Sequence, residues 1–145
     1  MAVVRFYHQY RSHEIENGTN LREAMMKLGL TPYKGLSMFS NCRGHNFCGT
    51  CAVEVVDGKG ASPRSQDEEA TLVGTLAIAR KVEKSMRLAC QTTITGDMVV
   101  KTHPVRTIDW PTTKERLGLL VVGSFFAIAF LAMCIYLVFD MIKKY

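Results

Sequence analysis

Apolar and polar positions alternate from Ala2 to Gln9, with Val4, Phe6 and His8 on one face and Arg5, Tyr7 and Gln9 on the other. A period of two predicts a half-buried strand. His13–Glu16 reads as its partner, ended by Asn17-Gly18. The period then changes. Leu21, Ala24, Met25 and Leu28 fall at i, i+3, i+4 and i+7, which predicts a helix with an apolar core-facing stripe. Asn20 is placed to cap it, Glu23 completes a box-like pair, and Gly29 is a natural stop. From Pro32 to Cys51 no period holds, and a loop of that length in a compact domain is usually functional. Alternation returns over Ala52–Val56 and ends at Asp57-Gly58. Ser65-Gln66-Asp67-Glu68 fits a capping box for a short helix through about Val73. Gly74–Lys84 is basic and aperiodic, and no element is assigned to it. Leu88–Ile94 and Met98–Lys101 read as a closing hairpin across Gly96-Asp97. The pattern as a whole is α+β.

Leu117–Phe139 is different in kind: 23 residues without a charge. As a helix it would be about 35 Å long, enough to cross a bilayer. Trp110 and Tyr145 flank it as candidate interface anchors. The expected division is a domain over 1–103, a linker over 104–116, a transmembrane helix over 117–139 and a short tail over 140–145. Pro104 and Pro111 make the linker extended and stiff. Lys101, Arg106, Lys114 and Arg116 precede the span, whereas Lys143 and Lys144 follow it. The positive-inside rule therefore places the domain on the cytoplasmic side, or its stromal or matrix equivalent. Gly123, Ala127 and Cys134, with Ser124 beside them, put small side chains on one helical face, where a partner helix could approach. The start of the chain shows no leader-like apolar run, so a reducing compartment is expected.

The chemistry lies in the aperiodic loop. Cys42, Cys48 and Cys51 follow a C-x5-C-x2-C spacing, and Cys90 arrives after 38 further residues. Four thiolates suit a soft metal centre. The spacing lacks the paired short knuckles of a zinc ribbon. It is near the plant-type 2Fe–2S run of C-x4-C-x2-C with a distant cysteine. The plainer alternatives are a zinc site or buried free thiols. His45 lies inside the loop, but four placed cysteines leave no need for a histidine ligand. Cys134 falls mid-span and reads as a small packing residue.

The loop Cys42-Arg43-Gly44-His45-Asn46-Phe47-Cys48-Gly49-Thr50-Cys51 and the segment Arg87-Leu88-Ala89-Cys90-Gln91 resemble the β-grasp 2Fe–2S ferredoxins over residues 1 to about 103. The five-residue first gap is similar to the adrenodoxin branch. The resemblance implies a β-grasp domain whose 2Fe–2S cluster is bound by Cys42, Cys48, Cys51 and Cys90. It also implies a non-enzymatic one-electron carrier, at a potential on the order of −400 mV for the plant-type reference. An acidic helix that docks redox partners would correspond to Asp67, Glu68 and Glu69; the plainer reading is acids favoring a helix N-terminus.

Charge qualifies this picture. The chain carries a formal +5, and residues 1–112 hold 14 Lys and Arg against 11 Asp and Glu, a net +3. Ferredoxins of this family are commonly acidic. No Lys/Arg run or interleaved aromatic stripe accompanies the excess, so nucleic acid is not an expected partner. No Ser-His-Asp set, phosphate loop or dinucleotide fingerprint is present. The expected function is a membrane-anchored 2Fe–2S ferredoxin serving a membrane-embedded redox complex, with a soluble reductase or other donor or acceptor on its other side. The alternatives are a fixed accessory subunit of a respiratory or photosynthetic membrane complex, the electron-donating component of a membrane oxygenase system, and a redox sensor.

Overall fold

The computed structural model describes residues 1–7, 11–74 and 77–144. Two units are distinguished: Met1–Thr75 with Arg80–Thr107, and Leu76–Ala79 with Ile108–Tyr145.

In the first unit the strands are β1 (Ala2–Phe6), β2 (Arg11–Ile15), β3 (Ala52–Asp57), β4 (Met86–Leu88) and β5 (Met98–Thr102). They form one mixed sheet in the order β2-β1-β5-β3-β4. β1 follows the alternation: Ala2, Val4 and Phe6 are buried, while Val3 and Arg5 are exposed. It pairs antiparallel with β2, Val4 opposite His13, and parallel with β5, Val4 opposite Met98. The expected continuation of β1 through His8 and Gln9 lies outside the described residues.

Helix α1 (Leu21–Lys27) begins at Asn20, whose side-chain carbonyl accepts from the N–H groups of Arg22 and Glu23. Leu21, Ala24 and Met25 are buried in the core with Val4, Phe6, Val53, Leu88 and Val100. Leu28, expected as the last member of the stripe, is instead the C-cap and 38% exposed. The helix ends where Gly29 predicts, because Gly29 takes φ +73 and turns the chain away directly after the cap. Helix α2 (Gln66–Val73) starts where its capping sequence places it, with Ser65 Oγ accepting from the Glu68 N–H.

The expected closing hairpin does not form. β4 pairs antiparallel with β3, Val53 opposite Arg87, and β5 inserts between β1 and β3. After Leu88 the chain turns sharply, as its carbonyl accepts from the N–H groups of both Gln91 and Thr92. Gly96-Asp97 turns not onto residues 88–94 but against Gly60, whose carbonyl accepts from Thr95 and Gly96. A Cβ on Gly60 would lie 2.1 Å from the Gly96 carbonyl oxygen, so only glycine fits that approach.

In the second unit, helix α3 runs from Trp110 to Lys144. Residues 110–116, expected as extended linker, are its first turns. Pro111 is the reason: in the first turn of a helix its missing N–H costs nothing and its φ is already helical. The Asp109 carbonyl accepts from the Thr113 N–H, and Thr112 Oγ1 donates to the Asp109 carboxylate at 2.9 Å. The helix is apolar around its circumference, with Leu119, Val121, Phe125, Phe126, Ile128 and Phe130 all exposed. Its 35 residues span about 52 Å, so it is long and apolar enough to cross a membrane. Tyr145 lies outside the described residues.

Candidate metal centre

The loop 42–51 is irregular because its backbone is bent inward. Arg43 and Asn46 take positive φ, as do Gly44 and Gly49. At Gly44 the constraint is the φ of +110, since an added Cβ would make only ordinary contacts, 3.7 Å from an Arg22 guanidinium nitrogen and 3.9 Å from the Cys90 Cβ.

The four thiols come together as two pairs. Cys42 and Cys48 have their sulfurs 3.2 Å apart, and Cys51 and Cys90 theirs 3.3 Å apart. Two sulfurs each about 2.3 Å from one tetrahedral metal would be separated by roughly 3.8 Å, using the zinc–thiolate length as the guide. Each pair is therefore about half an ångström short of the separation that holds one metal atom. Among the described residues, no three of His, Cys, Asp and Glu converge on a single ion. The donor set is two-plus-two, which suits a cofactor with two metal atoms.

Around the sulfurs the backbone supplies N–H donors. The Cys42 N–H points to the Cys48 sulfur at 3.4 Å. Burial alone would raise the Cys42 thiol, but the N–H and thiol of Cys48 and the N–H groups of Phe47 and Gly44 outweigh it and bring its pKa down to about 6. Cys51 donates to the Cys90 sulfur, which is the main reason Cys51 is raised and Cys90 lowered to about 7. The Asn46 N–H also favors the Cys90 thiolate, and Thr50 Oγ1 lies 2.9 Å from the Cys48 sulfur. Inward amides are what sulfurs of a negatively charged iron–sulfur centre require.

Three devices hold this arrangement, and the spacing of residues revealed none of them. The first is Asn20. While its carbonyl caps α1, its amide donates to the Cys90 carbonyl at 2.8 Å, and the Arg22 N–H donates to the Ala89 carbonyl. The second is α2. Glu68, which the sequence offers as one of three acids at the helix N-terminus or on an acidic docking face, is fully buried. It accepts two bonds from Arg87, at 2.9 and 3.0 Å, and one from the Leu88 N–H at 2.7 Å, so it anchors the strand that delivers Cys90. Thr71, one turn on, donates to the Asn46 carbonyl at 2.7 Å. The third is Arg106, which donates to the carbonyls of Gly49 and Leu72 at 2.8 and 2.6 Å. Arg22, donating from Nε to the Tyr33 hydroxyl at 2.7 Å, lies beside Gly44; that bond, above all, raises its pKa, and Cys51 and Cys90 add to it. His45 is exposed, as expected of a loop residue. Cys134 lies in α3 and takes no part in this site.

The family model of the 2Fe–2S iron–sulfur cluster binding domain matches residues 9–95. The chain is 35% identical over 94 residues to the photosynthetic NDH subunit of subcomplex B 3, chloroplastic, of Arabidopsis thaliana. That match covers 60% of this chain and 43% of the other, so the chain spans less than half the length of this relative. Its fold is that of the ISC-like 2Fe–2S ferredoxin of Pseudomonas putida, with a TM-score of 0.55 at 23% identity, covering 74% of this chain and 96% of that one. A ferredoxin of Rhodopseudomonas palustris matches at a TM-score of 0.51 and 22% identity, over 73% and 98% of the two chains. With more than half of its length matched, and with a thiol set that suits the group, the chain belongs to the 2Fe–2S iron–sulfur cluster binding domain family and has a ferredoxin-like fold.

Proposed function

We propose that this chain is a membrane-anchored ferredoxin that carries single electrons to or from a redox partner in the same membrane, with Cys42, Cys48, Cys51 and Cys90 as the cluster ligands. A 2Fe–2S cluster supplies a one-electron couple when bound. The chain's own part is to hold the sulfurs in two pairs, aim amides at them and confine the domain to the plane of the bilayer. The observation that carries the reading is the two-plus-two thiol set inside its amide cradle, on one chain with a helix apolar all round. Residues 1–103 are the ferredoxin domain and α3 contains the anchor. The excess of Lys and Arg ahead of 117–139 supports a cytoplasmic, stromal or matrix side for the domain.

The test is direct. Protein purified in mild detergent should contain about two iron and two labile sulfide per chain and give a one-electron signal on reduction. Stoichiometric zinc without sulfide would overturn the ligand reading. A chain ended at Thr107 should be soluble and still coloured; a colourless product would show that the two units are not independent.

Permanent membership of a membrane complex is a second reading. The relative is itself named as an NDH subunit. Leu36, Met38, Phe39 and Phe47 are also highly exposed on the segment that contains the first cysteines, Phe39 at 91% and Phe47 at 86%. Apolar exposure on that scale suits a covered surface. Survival of the assembly through detergent purification separates the fixed subunit from the mobile carrier.

A further inference from the structure

A cavity of about 270 Å³ opens next to the cysteine loop. Lys34, Arg80 and Arg106 line it, with the hydroxyls of Ser37 and Thr50, and no Asp or Glu is among its lining residues. The ion pairs Arg87–Glu68 and Lys101–Glu54 involve none of these three cations. Arg106 makes the contrast with Arg87. Both guanidiniums are drawn into the domain, but Arg87 meets Glu68, while Arg106 meets only carbonyl oxygens and keeps a buried Nε with no acceptor. Burial, and then the neighbouring Arg80, depress its pKa to about 10. It therefore stays charged at neutral pH, against the repulsion of a like charge. A cation drawn this far into a domain is normally kept by a counter-charge, and the described residues lining the cavity include none.

We propose that this cavity binds a small phosphate-class oxyanion through Arg80, Arg106 and Lys34. Its volume is just below the roughly 300–1,000 Å³ of sites for drug-sized ligands. The guanidinium fork matches phosphate oxygens in geometry and in charge. The cavity is also joined to the metal centre. Gly49 and Thr50 line it, Arg106 holds the Gly49 carbonyl, and Thr50 Oγ1 touches the Cys48 sulfur. An anion there opposes the extra negative charge of the reduced centre and lowers its potential. By linkage, reduction weakens anion binding by the same factor. This coupling rests on the cysteine ligands proposed above.

The test uses the full chain in nanodiscs of phosphatidylcholine. Inorganic phosphate is titrated at constant ionic strength against chloride, while the midpoint potential is measured and binding is followed by calorimetry. The expected result is a saturable fall in potential; a tenfold coupling would appear as 59 mV for a one-electron couple. Arg80→Gln and Lys34→Gln, both at exposed positions, should each abolish the saturable response, with iron and labile sulfide measured in parallel to report on folding. A response confined to phosphatidylglycerol nanodiscs and lost in the same variants identifies the oxyanion as a lipid phosphate. Saturable binding that shifts no potential upholds the cavity as an oxyanion site and overturns its coupling to the metal centre. A potential that follows ionic strength alone, or a full phosphate response in both variants, overturns the proposal.

Discussion

The two sulfur pairs are built from the same residue type by opposite means. Cys51 and Cys90 are 2% and 8% exposed, brought together from 39 residues apart, and held by core elements. Asn20, the Ala89 N–H and the Glu68–Arg87 pair all act on this half. Cys42 and Cys48 are six residues apart at the surface, held by backbone amides of their own loop, with exposed Phe47 between them in sequence. One pair is part of the fold and the other is a rim attached to it. An electron carrier needs that asymmetry: a rigid half to fix the geometry, and an accessible half through which a partner can come close.

The comparison predicts different consequences for equivalent substitutions. Cys51→Ser should give the largest effect, with loss of the cluster and of cooperative unfolding, because it puts a hydroxyl among Leu88, Ala89 and Val53. Cys48→Ser should also lose or destabilise the cluster but leave a folded domain. Iron content beside a thermal melt distinguishes them, and identical melts would break the comparison. Next is Glu68→Ala. It leaves Arg87 buried and unpaired, which typically costs about 3–5 kcal/mol, read by urea denaturation. A loss below about 1 kcal/mol would mean that α2 is not an anchor. Thr71→Val removes the bond from α2 to the Asn46 carbonyl and should cost about 1 kcal/mol, seen mainly as faster cluster loss. Glu69→Ala, at an exposed neighbor of Glu68, should move stability by less than about 0.5 kcal/mol and so separates the buried acid from the surface ones.

Where local pattern decides the structure, the sequence was legible. β1 shows its alternation, α1 its cap and stripe, and the cysteine loop its spacing, because each depends on residues a few positions apart. What was missed depends on distant partners. Glu68 looked like one of three acids favoring a helix N-terminus, and only Arg87, 19 residues on, makes it a core residue. Residues 88–94 were read as a strand toward β5, yet β3 takes the pairing and the turn after Leu88 delivers Cys90. The aperiodic stretch 74–84 is held at points such as Arg80 to the Val73 carbonyl and Lys81 to the Thr107 carbonyl, bonds that leave no periodic trace. Pro111 beside Pro104 reads as a sign of extension, although at the start of a helix it signals the reverse.

The sheet order has a consequence for biosynthesis. β1–β2 and β3–β4 are each antiparallel pairs that can form as the chain emerges, but β5 is the strand that joins them, and it is the last to be made. Until Thr102 has left the ribosome the two halves meet only through α1 and the segment after β4, and their inner strand edges stay open to wrong pairing. The hydrophobic segment beginning at Leu117 follows only 14 residues later. Closure of the sheet and targeting of the nascent chain therefore fall in the same short interval of synthesis. A chain stalled before β5 would present two unjoined strand pairs, a substrate for chaperones, with its long apolar helix still unmade.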